Sequence, residues 1–167
     1  RRNVAQLIRA FQQISRNMPD VQLLIVGKRE YPYLDIETLL KELELIDRIL
    51  LPGYVPDDDL PGLYNLASVS IYPSSYEGFG FPVLEAMACG TPVITSNTSS
   101  LPEVSGDAAV CIDPLNIDEI AEALSQMLRD STLRRQYIER GLARAAQFPW
   151  ERTARQTLDI YQKIGAC

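Results

Sequence analysis

Five short apolar runs alternate with stretches of helical periodicity, and this alternation restricts the fold more than any other feature of the chain. The runs lie around residues 21–26, 47–51, 68–72, 91–95 and 108–112. Val21-Gln22-Leu23-Leu24-Ile25-Val26 is almost continuously apolar, as a strand covered on both faces must be. Over 3–17, Val4, Leu7, Ile8, Phe11 and Ile14 recur at helical spacing, with Asn3 expected as N-cap. Residues 33–45 carry Leu34, Leu39, Leu40 and Leu43 inward, and Leu60, Leu63, Tyr64 and Ala67 mark another helix. Leu101-Pro102-Glu103-Val104 predicts one short helical turn. After Asp113-Pro114 the pattern is helical throughout, with faces built on Ile117, Ile120, Ala121, Leu124 and Leu128, then on Leu133, Tyr137, Leu142 and Ala145. A final helix carries Trp150, Ala154, Leu158 and Tyr161, with Trp150 expected as a packing anchor.

Alternating strands and helices give a parallel sheet with helices on both faces. The expected fold class is therefore α/β, a Rossmann-like three-layer α/β/α domain over residues 1–167. A doubly wound sheet of this kind has six strands, and its first strand is central. Only five are visible and the chain opens on a helix, so a fragment trimmed of its first strand is expected.

The chemistry concentrates in Ser74-Ser75-Tyr76-Glu77-Gly78-Phe79-Gly80-Phe81-Pro82-Val83-Leu84-Glu85. This stretch follows the strand Ser68–Tyr72 and runs through two glycines into a helix ended by Gly90. Pro82 suits the first helical position, where its missing N–H costs nothing. The amides of Val83, Leu84 and Glu85 are then expected to lack partners, and the helix dipole adds positive potential. Such an end accepts phosphate without a lysine. Gly78 and Gly80 let a ligand lie against bare backbone. Glu77 and Glu85 flank that end, and carboxylates accept hydrogen bonds from paired sugar hydroxyls. Together these features describe a nucleotide-sugar pocket. Gly27 and Lys28, at the end of the first visible strand, are placed to line a cleft. For Lys28 a plain strand-end loop is an equal alternative. Tyr54 and Val55 follow Pro52-Gly53 on the same ligand edge.

Composition removes several other chemistries. The chain has no histidine, which excludes His-based triads, His-containing zinc sites and imidazole bases. A net charge of −6 argues against a nucleic-acid surface. The apolar runs are far short of a membrane span, and nothing marks export. Three cysteines without paired spacing fit a reducing, cytoplasmic setting. Asp57-Asp58-Asp59 suggests a metal site, but it precedes a helix, where acids complement the dipole and Asp57 is a fair N-cap. Capping is the favoured explanation, and no metal is expected.

Glu77-Gly78-Phe79-Gly80-Phe81-Pro82 with Glu85, eight residues after Glu77, resembles the E-x7-E motif of family 4 retaining glycosyltransferases of the GT-B fold. The similarity continues through Leu24-Ile25-Val26-Gly27, Leu51-Pro52-Gly53-Tyr54-Val55 and Pro102-Glu103-Val104 to Trp150 and Tyr161. It implies the C-terminal, donor-binding half of a two-domain enzyme, with the N-terminal acceptor domain absent from this chain. By this resemblance the activity is transfer of a hexose from a UDP- or GDP-sugar to an acceptor hydroxyl, with retention and without metal or cofactor. Glu77 would act on hydroxyls of the transferred sugar, aided by amides of Gly78, Phe79 and Gly80. Glu85 would hold the ribose, the Leu84 region the diphosphate, and the Tyr54-Val55 backbone the base. The family's phosphate-binding arginine falls upstream, and its lysine position is occupied by Arg2. The fragment alone is expected to be inactive, and peripheral membrane association is compatible with the full-length enzyme. A non-catalytic ligand-binding module is the alternative from another class. A dehydrogenase is disfavoured, because its glycine fingerprint belongs after an early strand.

Overall fold

The computed structural model describes residues 2–27 and 36–165. In chain order it contains α1 (Val4–Ser15), β1 (Leu23–Val26), α2 (Ile36–Glu42), β2 (Ile49–Gly53) and a 3-10 turn (Asp57–Asp59) leading into α3 (Leu60–Leu66). There follow β3 (Ser70–Tyr72), α4 (Phe81–Ala88), β4 (Val93–Ser96), α5 (Leu101–Ser105) and β5 (Ala109–Ile112). The chain ends with α6 (Ile117–Arg129), α7 (Ser131–Ala145) and α8 (Trp150–Gly165). Lys28 and the start of the helix expected over 33–45, including Leu34, lie outside the described residues.

Every pairing is parallel, as expected, but the described strands form two sets: β1–β2 and β3–β4–β5. Helix α1 joins them. Its Leu7, Ile8, Phe11 and Ile14 share one core with Leu23, Ile25 and Leu51 of the first set and Ile71, Ile94 and Ile112 of the second. Leu39 and Leu40 of α2 and Ile120, Leu124 and Met127 of α6 complete that layer. On the opposite face Val93 and Ala109 pack with Val83, Ala86 and Met87 of α4 and with Leu101 and Val104 of α5. Consecutive residues Val93 and Ile94 thus enter opposite cores, the period of a strand covered on both sides. β4 is buried along its whole length. The result is the three-layer α/β/α arrangement.

Several local expectations change. β2 begins later than the run at 47 and continues through Pro52, with Gly53 opposite Val26 after a register shift. Pro52 is tolerated because β2 pairs on one side only among the described residues. Asn3 occupies the N-cap position of α1 but makes no capping bond; its side chain points elsewhere, as described below. Asp57 does not cap either: Asp57–Asp59 form the first turn themselves, without a side-chain cap, and favour the helix only through the dipole. The final helix departs most. α8 buries none of its residues, and Trp150, 69% exposed, stacks on Phe81 instead of entering the core. α7 approaches α4 closely at Gly141, where a Cβ would come 3.2 Å from Met87 Cγ.

Candidate functional site

The site is carried by two loops at the carboxyl ends of neighbouring parallel strands, β3 and β4. The first runs from Pro73 to Gly80 and enters α4. That helix begins one residue earlier than expected, at Phe81, with Gly80 as N-cap at φ 117. Pro82 is therefore the second helical residue. Val83 donates its N–H to the Gly80 carbonyl at 3.0 Å. Starting at Phe81 also takes the Glu85 N–H into the i→i−4 ladder. The donor end of the helix moves back toward Gly80 and Phe81, and the expected trio Val83, Leu84 and Glu85 is corrected accordingly.

Glycine is required at Gly80 twice over, by its positive φ and by a virtual Cβ only 2.6 Å from Leu101 Cδ2. Gly78 faces open space. Phe79 and Phe81, on either side of Gly80, are 4.9 Å apart and belong to an aromatic row. Phe148 meets Phe79 edge-on at 6.0 Å, and Trp150 stacks on Phe81 at 5.7 Å.

Each glutamate of the motif is held by a tyrosine. Tyr72 Oη and Ser74 Oγ both donate to Glu77 Oε1, each at 2.8 Å. Tyr64 Oη donates to Glu85 Oε2 at 3.2 Å. Tyr64, Tyr72, Phe79 and Leu84 pack against the same core. The two carboxylates, which flank Gly78-Phe79-Gly80 in sequence, are thus each held by a hydroxyl from a neighbouring element. Burial raises the Tyr64 hydroxyl well above the ordinary tyrosine range, assisted by the charge of Glu85 and the hydrogen bond to it. The Cys89 thiol is raised as well, by burial first and then by Glu85.

The Tyr64 shift has a definite pH consequence. Its folded pKa lies above the unfolded value of about 10, so its contribution to stability is complete below pH ~10 and is lost as pH rises toward the folded value. Urea unfolding at pH 9 and pH 11 should show a smaller alkaline loss of stability for Tyr64→Phe than for the wild type.

The remaining sequence-derived residues fall in two places. Gly27 directly follows β1, where its N–H donates to the Gly53 carbonyl at the end of β2 at 2.9 Å, so Tyr54 and Val55 leave the neighbouring strand end. Tyr54 is exposed. Exposed Arg2 immediately precedes Asn3, whose side-chain amide donates to the Pro73 carbonyl at 2.8 Å and to Ser75 Oγ at 2.7 Å. Asn3 thus pins the start of α1 to the loop that carries Glu77. Lys28 lies outside the described residues. No cluster of acids, cysteines and histidines suited to a metal occurs among the described residues, Asp57–Asp59 included.

The model of the family "Glycosyl transferases group 1" matches residues 1–144. The chain belongs to the group 1 glycosyl transferases. It is 52% identical over 112 residues to the O-antigen chain mannosyltransferase B of Escherichia coli, covering 67% of this chain and 29% of that protein. It is 34% identical over 174 residues to the MMP alpha-(1->4)-mannosyltransferase of Mycolicibacterium hassiacum, covering 99% and 42%. Among solved structures, sucrose-phosphate synthase from Thermosynechococcus elongatus superposes with a TM-score of 0.88 at 32% identity, covering 99% of this chain and 43% of that one. This group 1 glycosyltransferase chain therefore spans less than half the length of each of these relatives. None of its described helices is long and apolar enough to cross a membrane.

Sequence reasoning missed the hydroxyl groups around the motif. In the sequence Tyr64 reads as a helical position, Tyr72 as the end of a strand and Ser74 as the start of the glycine loop, with no carboxylate partner evident for any of them. A usable signal existed, because residues just beyond the carboxyl end of a parallel strand are where ligands bind in such sheets. Thr98, Ser99 and Ser100 stand in that position after β4.

Proposed function

We propose that this chain is the donor-binding part of a glycosyltransferase that moves a mannosyl residue from a nucleoside diphosphate sugar to an acceptor hydroxyl, with retention and without a metal. The observation that carries the reading is the fixed pair Glu77 and Glu85 on either side of a glycine loop that opens helix α4. Glu77 orients hydroxyls of the transferred sugar and Glu85 holds the ribose. Backbone donors around Gly78–Phe81 and the charge of Arg2 stabilise the departing diphosphate, an electrostatic role. Tyr54 and Val55 with Gly27 form the side toward the base. The bond from the anomeric carbon to the phosphate oxygen breaks, and the acceptor oxygen bonds to the same face of that carbon. The acceptor proton passes to the departing phosphate oxygen, since no side chain among the described residues serves as an evident general base.

The named mannosyl activities of two relatives support mannose as the sugar. Their greater length supports an acceptor-binding half in the same polypeptide, without which the donor half turns over no acceptor. Free Cys89 and Cys111 are consistent with a cytoplasmic location. Thermal melting with GDP-mannose, UDP-glucose and ADP-glucose tests the reading. At ligand concentrations 100-fold above Kd, a stabilisation of about 2.7 kcal/mol is expected with at least one of them. Glu85→Ala should abolish it. A wild-type chain that is folded and indifferent to all three would instead support a non-catalytic module.

A further inference from the structure

The Glu77–Gly80 loop has little regular structure of its own, yet its backbone must be held in place if it is to serve as a binding surface. Its support comes from the neighbouring loop, residues 97–100, which leaves β4. Thr98 Oγ1 donates to the Ser75 carbonyl at 3.3 Å. Ser99 Oγ donates to the Glu77 carbonyl at 2.7 Å and accepts from the Glu77 N–H at 3.1 Å, a reciprocal pair. Ser100 Oγ faces two carbonyls, Phe79 at 2.7 Å and Glu77 at 3.0 Å. Leu101, fully buried, lies against Gly80. Four consecutive residues, three of the loop and Leu101 at the start of α5, thus engage the other loop from Ser75 to Gly80.

Ser99 also adopts φ 61, a left-handed conformation that a residue with a Cβ occupies at some cost. Glycine would relieve that cost but would lose both bonds to Glu77. A strained residue whose side chain grips a loop beside charged groups points to a role in the site, since such strain tends to be kept where function uses it.

We infer that Ser99 and Ser100 are positioning residues that set the Glu77–Gly80 main chain, and with it the Glu77 carboxylate, for the sugar portion of the donor. The inference rests on the donor-site reading. The Glu77 end of the site meets the sugar and the Glu85 end the ribose. Loss of the two hydroxyls should therefore weaken binding of the sugar portion and spare the nucleotide portion.

The test is calorimetric titration of GDP-mannose and of GDP into the wild type, Ser99→Gly/Ser100→Ala, and Ser99→Gly/Ser100→Thr, with amide hydrogen exchange measured on each unliganded protein. Two neutral hydroxyl bonds correspond to roughly a tenfold loss of GDP-mannose affinity. GDP affinity should stay within about twofold, and the Thr variant should recover part of the loss. Exchange at the Glu77 amide, which donates to Ser99 Oγ, should accelerate about tenfold in the first variant. Equal losses for GDP and GDP-mannose, or no loss for either, would overturn the inference. If the wild type binds neither ligand, the donor-site reading fails and exchange alone decides the loop contact. Faster exchange confined to residues 77–80 then sustains the positioning role, and unchanged exchange ends it.

Discussion

Replacing Gly80 with alanine should destabilise the protein by about 2–4 kcal/mol, the sum expected for positive-φ strain and overpacking. The backbone at Gly80 has φ 117, and the new methyl carbon would fall 2.6 Å from Leu101 Cδ2. Leu101 is wholly buried, so it cannot swing aside without disturbing the core beneath α4 and α5. Gly78→Ala is the informative partner experiment. A Cβ at Gly78 meets nothing within 4 Å, so stability should change by no more than about 0.5 kcal/mol. Its methyl would nevertheless stand where the proposed ligand lies against the backbone. Urea unfolding of both variants, followed by nucleotide-sugar titration of Gly78→Ala, separates the two demands on the loop. Gly80 should fail on folding, and Gly78 on binding.

Arg48→Ala should cost a similar amount, about 3 kcal/mol, for a different reason. The Arg48 guanidinium donates to the carbonyls of Ser15 at 3.3 Å, Met18 at 2.8 Å and Val21, and lies 6.0 Å from the Phe11 ring centroid. Those carbonyls belong to the end of α1 and the turn into β1; those of Ser15 and Met18 already accept from the N–H groups of Met18 and Val21, and Arg48 gives each a second donor. Arg48 serves them from the start of β2 and so fastens α1 to the first pair of strands. Lysine has one compact ammonium and cannot reproduce the planar fork, so Arg48→Lys should recover less than half of the loss. Denaturant midpoints for the two variants check both statements. Because Arg48 is remote from Glu77 in the chain and its bonds are to the opposite end of α1, the titration behaviour of any residual folded protein should be unchanged.

These two positions mark where sequence reasoning succeeds and where it stops. Gly80 was legible, since a glycine just ahead of a proline-started helix after a strand announces a tight, bare turn. Arg48 was not, because its worth lies in three carbonyls distant in sequence, and nothing in Asp47-Arg48-Ile49 signals them. The strands were legible because burial on both faces demands uninterrupted apolar runs such as Val21–Val26 and Val93–Ile94. Their ends were less so: Pro52, a punctuation residue in sequence, sits inside β2 because that strand pairs on one side only among the described residues. Helix α8 has a clear amphipathic pattern, but the pattern gives a face and not its partner, and its Leu158 and Tyr161 stay exposed. Periodicity placed both motif glutamates, yet it could not reveal the hydroxyls that orient them. Those bonds reach across as many as 23 residues, and the ones from Ser99 and Ser100 depend on the adjacency of β3 and β4. The same holds for Asn3, which looks like a cap and instead binds the loop after β3.

The central claim is that backbone donors between two held carboxylates form the surface on which a nucleotide sugar rests. Backbone amide NMR of the isotope-labelled chain during titration with GDP-mannose tests it most directly. The account predicts saturable shifts concentrated at Gly78, Phe79, Gly80 and Phe81, extending to Glu85, and their loss at the sugar end in Glu77→Gln. Shifts centred elsewhere on the domain, with those amides unmoved at saturation, would contradict it.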